Sequence, residues 1–99
     1  MKRIVVTGGS SGLGQAIVDA LENDDNNKVI NWSLPDVDVR DAHSVSEAAR
    51  ELLLDAPDID ILINCAGGNY INWLEDIPDR EWDRVMDTNA KGIFLTTKY

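Results

Sequence analysis

The sequence predicts an α/β fold, one sheet of parallel strands with helices on both faces, and three observations carry that expectation. Short β-branched runs, Ile4-Val5-Val6 and Ile59-Asp60-Ile61-Leu62-Ile63, read as buried parallel strands. Between and after them, apolar residues recur at helical spacing. The resulting order of strand, helix, strand, strand, helix, strand, helix joins parallel strands by crossovers, which place the helices on the faces of the sheet.

The first strand, Ile4 to Val6, ends at Gly8-Gly9-Ser10-Ser11-Gly12-Leu13-Gly14. Leu13, Ala16, Ile17, Ala20 and Leu21 then form an apolar stripe with Gln15, Asp19 and Glu22 outside it, a helix of about two and a half turns. Asn23-Asp24-Asp25-Asn26-Asn27 ends that helix, because short polar side chains compete for the backbone. Val29 to Leu34 reads as a second strand, Pro35-Asp36 as a turn, and Val37-Asp38-Val39 as a very short third strand. Ser44-Val45-Ser46-Glu47 fits a capping box, and Val45, Ala48, Ala49, Leu52, Leu53 and Ala56 make a second helical stripe up to Pro57. Ile59 to Ile63 is the fourth strand, stopped by Asn64-Cys65-Ala66-Gly67-Gly68. Trp82, Val85, Met86, Asn89, Ala90 and Ile93 repeat at helical spacing from about Asp79 towards Tyr99. The last residues, Phe94 to Tyr99, carry no glycine cap, proline or polar tail, so the pattern reads as cut inside or at the edge of that helix.

Nine Lys and Arg against 18 Asp and Glu leave a formal net charge of −9 over 99 residues. That balance repels phosphate backbones and anionic lipid heads, so nucleic acid and membrane surfaces are poor partners. A chain this long buries roughly 60–70% of its unfolded surface, enough for one modest core and no second domain. No apolar stretch approaches the ~20 residues of a bilayer span and nothing reads as a signal peptide, so the cytoplasm is the expected location. Cys65 is the sole cysteine, and no Cys or His stands at metal-ligand spacing, so neither an internal disulfide nor a metal is expected. Cys65 reads as a small hydrophobe beside a strand end, His43 as an exposed helix-start residue, and Trp32, Trp73 and Trp82 as packing residues.

A glycine-rich turn between a buried strand and a helix start presents several backbone N–H groups to one anion, with the positive end of the helix dipole behind them. Thr7-Gly8-x-x-x-Gly12-x-Gly14 has that context. These residues resemble the TGxxxGxG cofactor loop of the short-chain dehydrogenase/reductase family, and three further matches follow in order. Asp38-Val39-Arg40-Asp41 resembles the family's Asp-Val pair after the third strand. Asn64-Cys65-Ala66-Gly67 is similar to its Asn-Asn-Ala-Gly signature, with Cys65 in the second place. The helix from Trp82 to Gly92 resembles the one whose asparagine, here Asn89, belongs to the catalytic tetrad.

The resemblance covers essentially the whole chain and implies a Rossmann-like parallel sheet, truncated after the fourth strand and the following helix, with residues 1–99 as part of an NAD(P)-binding domain. It implies that Thr7, Gly8, Ser10, Ser11, Gly12, Leu13 and Gly14 hold the pyrophosphate and that Asp38 and Val39 meet the adenine. Asn64, Ala66 and Gly67 then lie near the adenosine ribose. Tyr70, Ile71, Asn72 and Trp73 border the substrate side. For Asn89 it implies a bond to a backbone carbonyl or water that completes a proton relay. A purely structural amide is the alternative, since a buried amide must in any case find partners. The family's serine, tyrosine and lysine lie beyond the asparagine, and this chain ends ten residues after Asn89. Neither Lys98 nor Tyr99 takes over their roles.

Dinucleotide preference rests about 20 residues past the glycines, where an acid binds ribose hydroxyls or a base accepts a 2′-phosphate. Ser33 stands there, 19 residues after Gly14, and neither Arg3 nor Arg40 clearly replaces a base. NAD against NADP stays open, with a lean to NAD from the acidic surroundings. Two functions follow: a dehydrogenase-derived chain that binds the adenosine-pyrophosphate end without turning over by itself, or a non-enzymatic nucleotide-binding or interaction module. In the family's strand order, third, second, first, fourth, the fourth strand is an edge beside an uncovered stripe from Trp82 to Ile93. A homodimer through that strand, the last helix, or both is expected, the alternative being an aggregating monomer.

Overall fold

The computed structural model describes residues 1–55 and 58–99. Their strands are β1 (Lys2–Thr7), β2 (Asn27–Trp32) and β3 (Ile61–Asn64). The helices are α1 (Gly12–Glu22), α2 (Ala42–Asp55), α3 (Asp79–Met86) and α4 (Gly92–Lys98), the last two joined by a π turn (Asp87–Lys91). β1 is central in a parallel sheet of order β2-β1-β3. Thr7 pairs with Trp32 on one side and with Asn64 on the other, so all three strands end level, the edge at which open α/β sheets bind ligands.

Helices cover both faces, as expected. Successive strand residues point to opposite faces. Val5 and Trp32 pack with Val45 and Ala49 of α2 and Leu95 of α4, while Ile4 and Val6 pack with Val18 of α1. Each of these β1 side chains is at most 2% exposed, and burying each contributes about 1.5–3 kcal/mol.

The structure corrects several boundaries, each for a physical reason. Val37-Asp38-Val39 forms no strand. A parallel neighbour of β2 needs a crossover of about a dozen residues, and only Ser33 to Asp36 separate Trp32 from Val37. The backbone there closes turns instead: Val37 N–H donates to the Ser33 carbonyl (3.0 Å) and Asp41 N–H to the Asp38 carbonyl (3.1 Å). Val37 and Val39 still bury their side chains. Among the described residues the sheet therefore has three strands, and the expected fourth strand is β3.

The second strand runs Asn27–Trp32, not Val29 to Leu34, because its ladder can be no longer than its partner β1. β3 starts at Ile61, not Ile59. Just before it the Asp60 carboxylate takes the Arg3 N–H (2.8 Å), the donor a strand carbonyl would otherwise use. The capping box does not form. Helix α2 begins at Ala42, Asp41 receives the His43 N–H (2.9 Å), and the Ser44 hydroxyl accepts from Asp38 N–H (3.0 Å). His43 is exposed, as expected. Ala56 and Pro57, the expected end of that stripe, lie outside the described residues.

On α1 the inward face is Gly14, Ile17, Val18 and Leu21, rotated from the expected stripe, and Leu13 is 73% exposed. The last helix starts at Asp79 as expected but is broken by the π turn, where Gly92 N–H reaches the Asp87 carbonyl. Trp32 packs in the core, whereas Trp73 and Trp82 are 75% and 57% exposed. A helical repeat records which residues share a face and not whether anything covers it.

Candidate functional site

Thr7, at the end of β1, is buried and joins the two loops that leave the sheet edge. Its Oγ1 accepts from the N–H groups of Cys65 (3.1 Å) and Ala66 (3.0 Å). Gly8 follows at φ +66°, where a Cβ would stand 2.8 Å from Ala66 N and Cα. Only a glycine lets the two loops approach this closely. At Gly14 a Cβ would overlap the Gly8 carbonyl oxygen, so the first turn of α1 sits directly on the loop. Gly12 differs: its φ is +56°, and a Cβ would meet nothing within 4 Å. The backbone needs glycine there for its conformation and leaves open space at the N-terminus of α1.

That N-terminus has no acidic residue in its first turn, and Ser11, at the cap position, makes no capping hydrogen bond. The first N–H groups and the positive end of the helix dipole therefore face outward, the arrangement that receives anions. Asn31 of β2 fixes the neighbouring hydroxyls. Its Oδ1 accepts from Gly9 N–H (3.0 Å) and Ser33 Oγ (2.6 Å), and its Nδ2 donates to Ser10 Oγ (3.1 Å).

Asp38 lies across the cavity. Its Oδ1 accepts from the backbone N–H (3.0 Å) and Nε (2.9 Å) of Arg40, and its Oδ2 from Nη2 (2.8 Å). These side-chain hydrogen bonds outweigh burial and hold the carboxyl below its ordinary value. The same pairing raises the Arg40 guanidinium.

The loop after β3 is held from the last helix. Asn89 Nδ2 donates to the Gly68 carbonyl (3.0 Å), and Gly68 N–H donates back to Asn89 Oδ1 (2.8 Å). Arg84 Nη2 donates to the Asn69 carbonyl (2.9 Å). Asn64 accepts from Thr96 Oγ1 (2.7 Å), which ties the end of β3 to α4.

These elements enclose a cavity of about 300 Å³. Of the residues expected to bind a cofactor, Gly8, Ser10, Ser11, Ser33, Asp38, Val39, Ala66 and Gly67 line it. Thr7, Gly14 and Asn64 support the wall from behind. Gly12 and Leu13 stand outside the lining, and Asn89 acts on the wall through Gly68. Sequence reasoning missed Trp32, Leu34, Val37, Arg40, Gly68, Arg84 and Thr88 as lining residues, and Asn31 as the anchor of two hydroxyls. A signal existed for Asn31, an amide within the apolar run Val29 to Trp32, and for Gly68, a second glycine beside Gly67. Arg84 gave none, since Glu81 and Arg84 at i,i+3 read as a solvated pair.

Among the described residues, no helix is long and apolar enough to cross a membrane, and no group of three or more His, Cys, Asp or Glu could hold a metal.

The family model described as short chain dehydrogenase matches residues 26–99. The chain is 29% identical to the 3-oxoacyl-(acyl-carrier-protein) reductase FabG of Staphylococcus aureus, over 94% of this chain and 46% of that protein. It is 31% identical to the NAD-dependent glycerol dehydrogenase of Listeria innocua, over 95% of this chain and 44% of that protein. The fold matches the ligand-free aldohexose dehydrogenase of Thermoplasma acidophilum with a TM-score of 0.90 at 28% identity, over 98% of this chain and 42% of that one. The chain spans about half the length of the curated relatives it matches. With three quarters of its residues under one family model, and its strands, loops and helices matching a solved dehydrogenase throughout, the chain belongs to the short-chain dehydrogenase family.

Proposed function

We propose that this chain binds the adenosine and pyrophosphate end of NAD or NADP, as the nucleotide-holding part of an oxidoreductase. The observation that supports this most is the convergence, on one cavity, of the glycine loop up to Ser11, the cap residue of α1, and the ionised Asp38.

The residues present fit such a ligand. Gly8 and Gly14 leave no room for side chains where backbone must pack, while Gly12 leaves open space before the helix N-terminus. A cavity of about 300 Å³ sits at the lower end of ligand sites. In this reading the first N–H groups of α1 and the hydroxyls of Ser10 and Ser11 hold the pyrophosphate. Asp38, kept ionised by Arg40, accepts from the adenine amino group, and Val39 packs beside it. Ser33 faces the ribose, and Ala66 and Gly67 approach it through their backbone. Asn89 orients this wall by holding both polar groups of Gly68. When bound, the nicotinamide end supplies hydride exchange with a carbonyl or alcohol substrate. No Tyr-x-x-x-Lys follows Asn89 in these 99 residues, so the chain alone is expected not to turn over.

The reading extends to a cytoplasmic homodimer joined through the β3 edge and the last helix, on which Trp82, Met86 and Ile93 lie exposed.

Isothermal titration of the chain with NAD, NADP and ADP tests the proposal. Binding between micromolar and millimolar is expected, since each ~1.4 kcal/mol of missing nicotinamide contact weakens affinity tenfold. Gly12→Asp should abolish it, and unchanged binding in that variant would move the site elsewhere. Oxidation of NADH by the chain with aldehydes or ketones would overturn the expected lack of turnover.

A further inference from the structure

We propose that Arg84 is a ligand-anchoring residue: Nε is held by Glu81 of its own helix, Nη2 latches the loop after β3, and the third nitrogen, Nη1, meets the negative charge of a bound phosphate. The inference rests on the nucleotide reading above and adds to it a cation supplied by the last helix.

The guanidinium is fixed on two sides. Arg84 Nε donates to Glu81 Oε2 at 2.8 Å, and Nη2 donates to the Asn69 carbonyl at 2.9 Å. Among the described residues Nη1 has no hydrogen-bond partner. It lies against the loop, 2.7 Å from where a Cβ on Gly68 would stand. The preceding glycine is shaped in the same way, since a Cβ on Gly67 would stand 3.1 Å from Asn89 Oδ1. The Gly67-Gly68 pair thus lacks side chains where two groups of the last helix press on the cavity wall.

Charge selects Arg84 from the other ionised residues lining the cavity, Asp38 and Arg40. Those two neutralise each other through a bidentate pair inside the wall. Glu81, which holds Arg84, is not part of the lining. Counted over the lining residues alone, Arg84 is thus the cation without an acidic partner facing the cavity, its own ion pair with Glu81 at 2.8 Å lying outside the lining, in a chain whose net charge is −9. A planar guanidinium with a free edge is suited to phosphate oxygens, and its other bonds here fix its direction beforehand.

The test compares ADP with adenosine, which has the same base and sugar and no phosphate. Both are titrated into the 99-residue chain and into Arg84→Gln and Arg84→Lys, at low and at moderate salt. The expected result for Arg84→Gln is a loss of about tenfold or more in ADP affinity, under about twofold for adenosine, and a shallower salt dependence for ADP. Arg84→Lys keeps the charge without the fork, so it should recover part of the ADP affinity and all of the salt dependence. If Arg84→Gln weakens ADP and adenosine equally, Arg84 only props the loop and the proposal falls. It falls too if ADP binding is unchanged. Should Arg84→Gln not fold, Arg84→Lys carries the test alone, and an equal loss for both ligands overturns the proposal. A parent chain that binds neither ligand would overturn the nucleotide reading itself, a result distinct from any failure of the variants.

Discussion

Asn89 and Gly68 exchange hydrogen bonds in both directions, Nδ2 to the carbonyl at 3.0 Å and N–H to Oδ1 at 2.8 Å. A side-chain amide satisfies a peptide group in this way because it carries a donor and an acceptor in one plane. A carboxylate cannot. Asn89→Asp replaces the donor with a second acceptor facing the Gly68 carbonyl. The variant should lose about 1–3 kcal/mol of stability, towards the lower end because the contact is exposed. Urea unfolding measures the loss, and faster hydrogen exchange at the Gly68 amide locates it.

Two glycines of the first loop are needed for different reasons, and substitution should separate them. Gly14→Ala forces a Cβ onto the Gly8 carbonyl, a backbone atom that cannot move without displacing the loop. It should cost about 1–3 kcal/mol or more and lower the melting temperature. Gly12→Ala meets open space, so its cost is the left-handed conformation alone, about 1–2 kcal/mol. Thermal unfolding should therefore rank Gly14→Ala below Gly12→Ala.

What the sequence made legible follows from how local each cause is. Gly8, Gly12 and Gly14 answer to the conformation and crowding of a single loop, and their spacing could be read directly. The three strands were legible because Ile4 to Val6, Val29-Ile30 and Ile61 to Ile63 carry β-branched and apolar runs. Val37 and Val39 misled because alternation describes a side-chain pattern, whereas a ladder needs a chain path. The four residues between Trp32 and Val37 exclude the parallel crossover. Arg84 was illegible because its partner Asn69 lies 15 residues away, and although Asn31 could be noticed as an amide in an apolar run, its partner Ser10 lies 21 residues away, so only the folded loops show what each one holds.

The pairing of Asp38 with Arg40 gives a pH dependence of defined sign. The Arg40 hydrogen bonds hold the folded Asp38 carboxyl below its unfolded value. Its contribution is therefore complete above the unfolded pKa, about 3.9, and is lost as pH falls through the lower folded value. The pair is partly exposed, so solvent screening keeps the contribution within about 1 kcal/mol. Melting curves of the parent and Asp38→Asn should differ most at neutral pH and converge in strong acid. A gap that widens in acid would reverse the assignment.

The last prediction concerns assembly. α4 closes on the sheet through Leu95, which is buried, and through the Thr96 hydroxyl bond to Asn64. That contact covers the end of β3 but leaves Trp82, Met86, Ile93 and Phe94 of the last helix exposed. Trp82 and Met86, four residues apart, share one face of α3, and Ile93 follows beyond the π segment. Such a stripe beside an open strand edge is more apolar surface than a monomer commonly leaves to water. Buried against a second copy it is worth about 25 cal/mol per Å², and a twofold axis lets each helix cover the other. Sedimentation equilibrium at tens of micromolar should give twice the chain mass of 11.0 kDa. Trp82→Glu, which places a charge on that face without touching the cavity, should return the monomer mass while the nucleotide affinity stays within about twofold. A parent chain that sediments at 11.0 kDa would instead mean that the stripe stays in water, and the homodimer would be discarded.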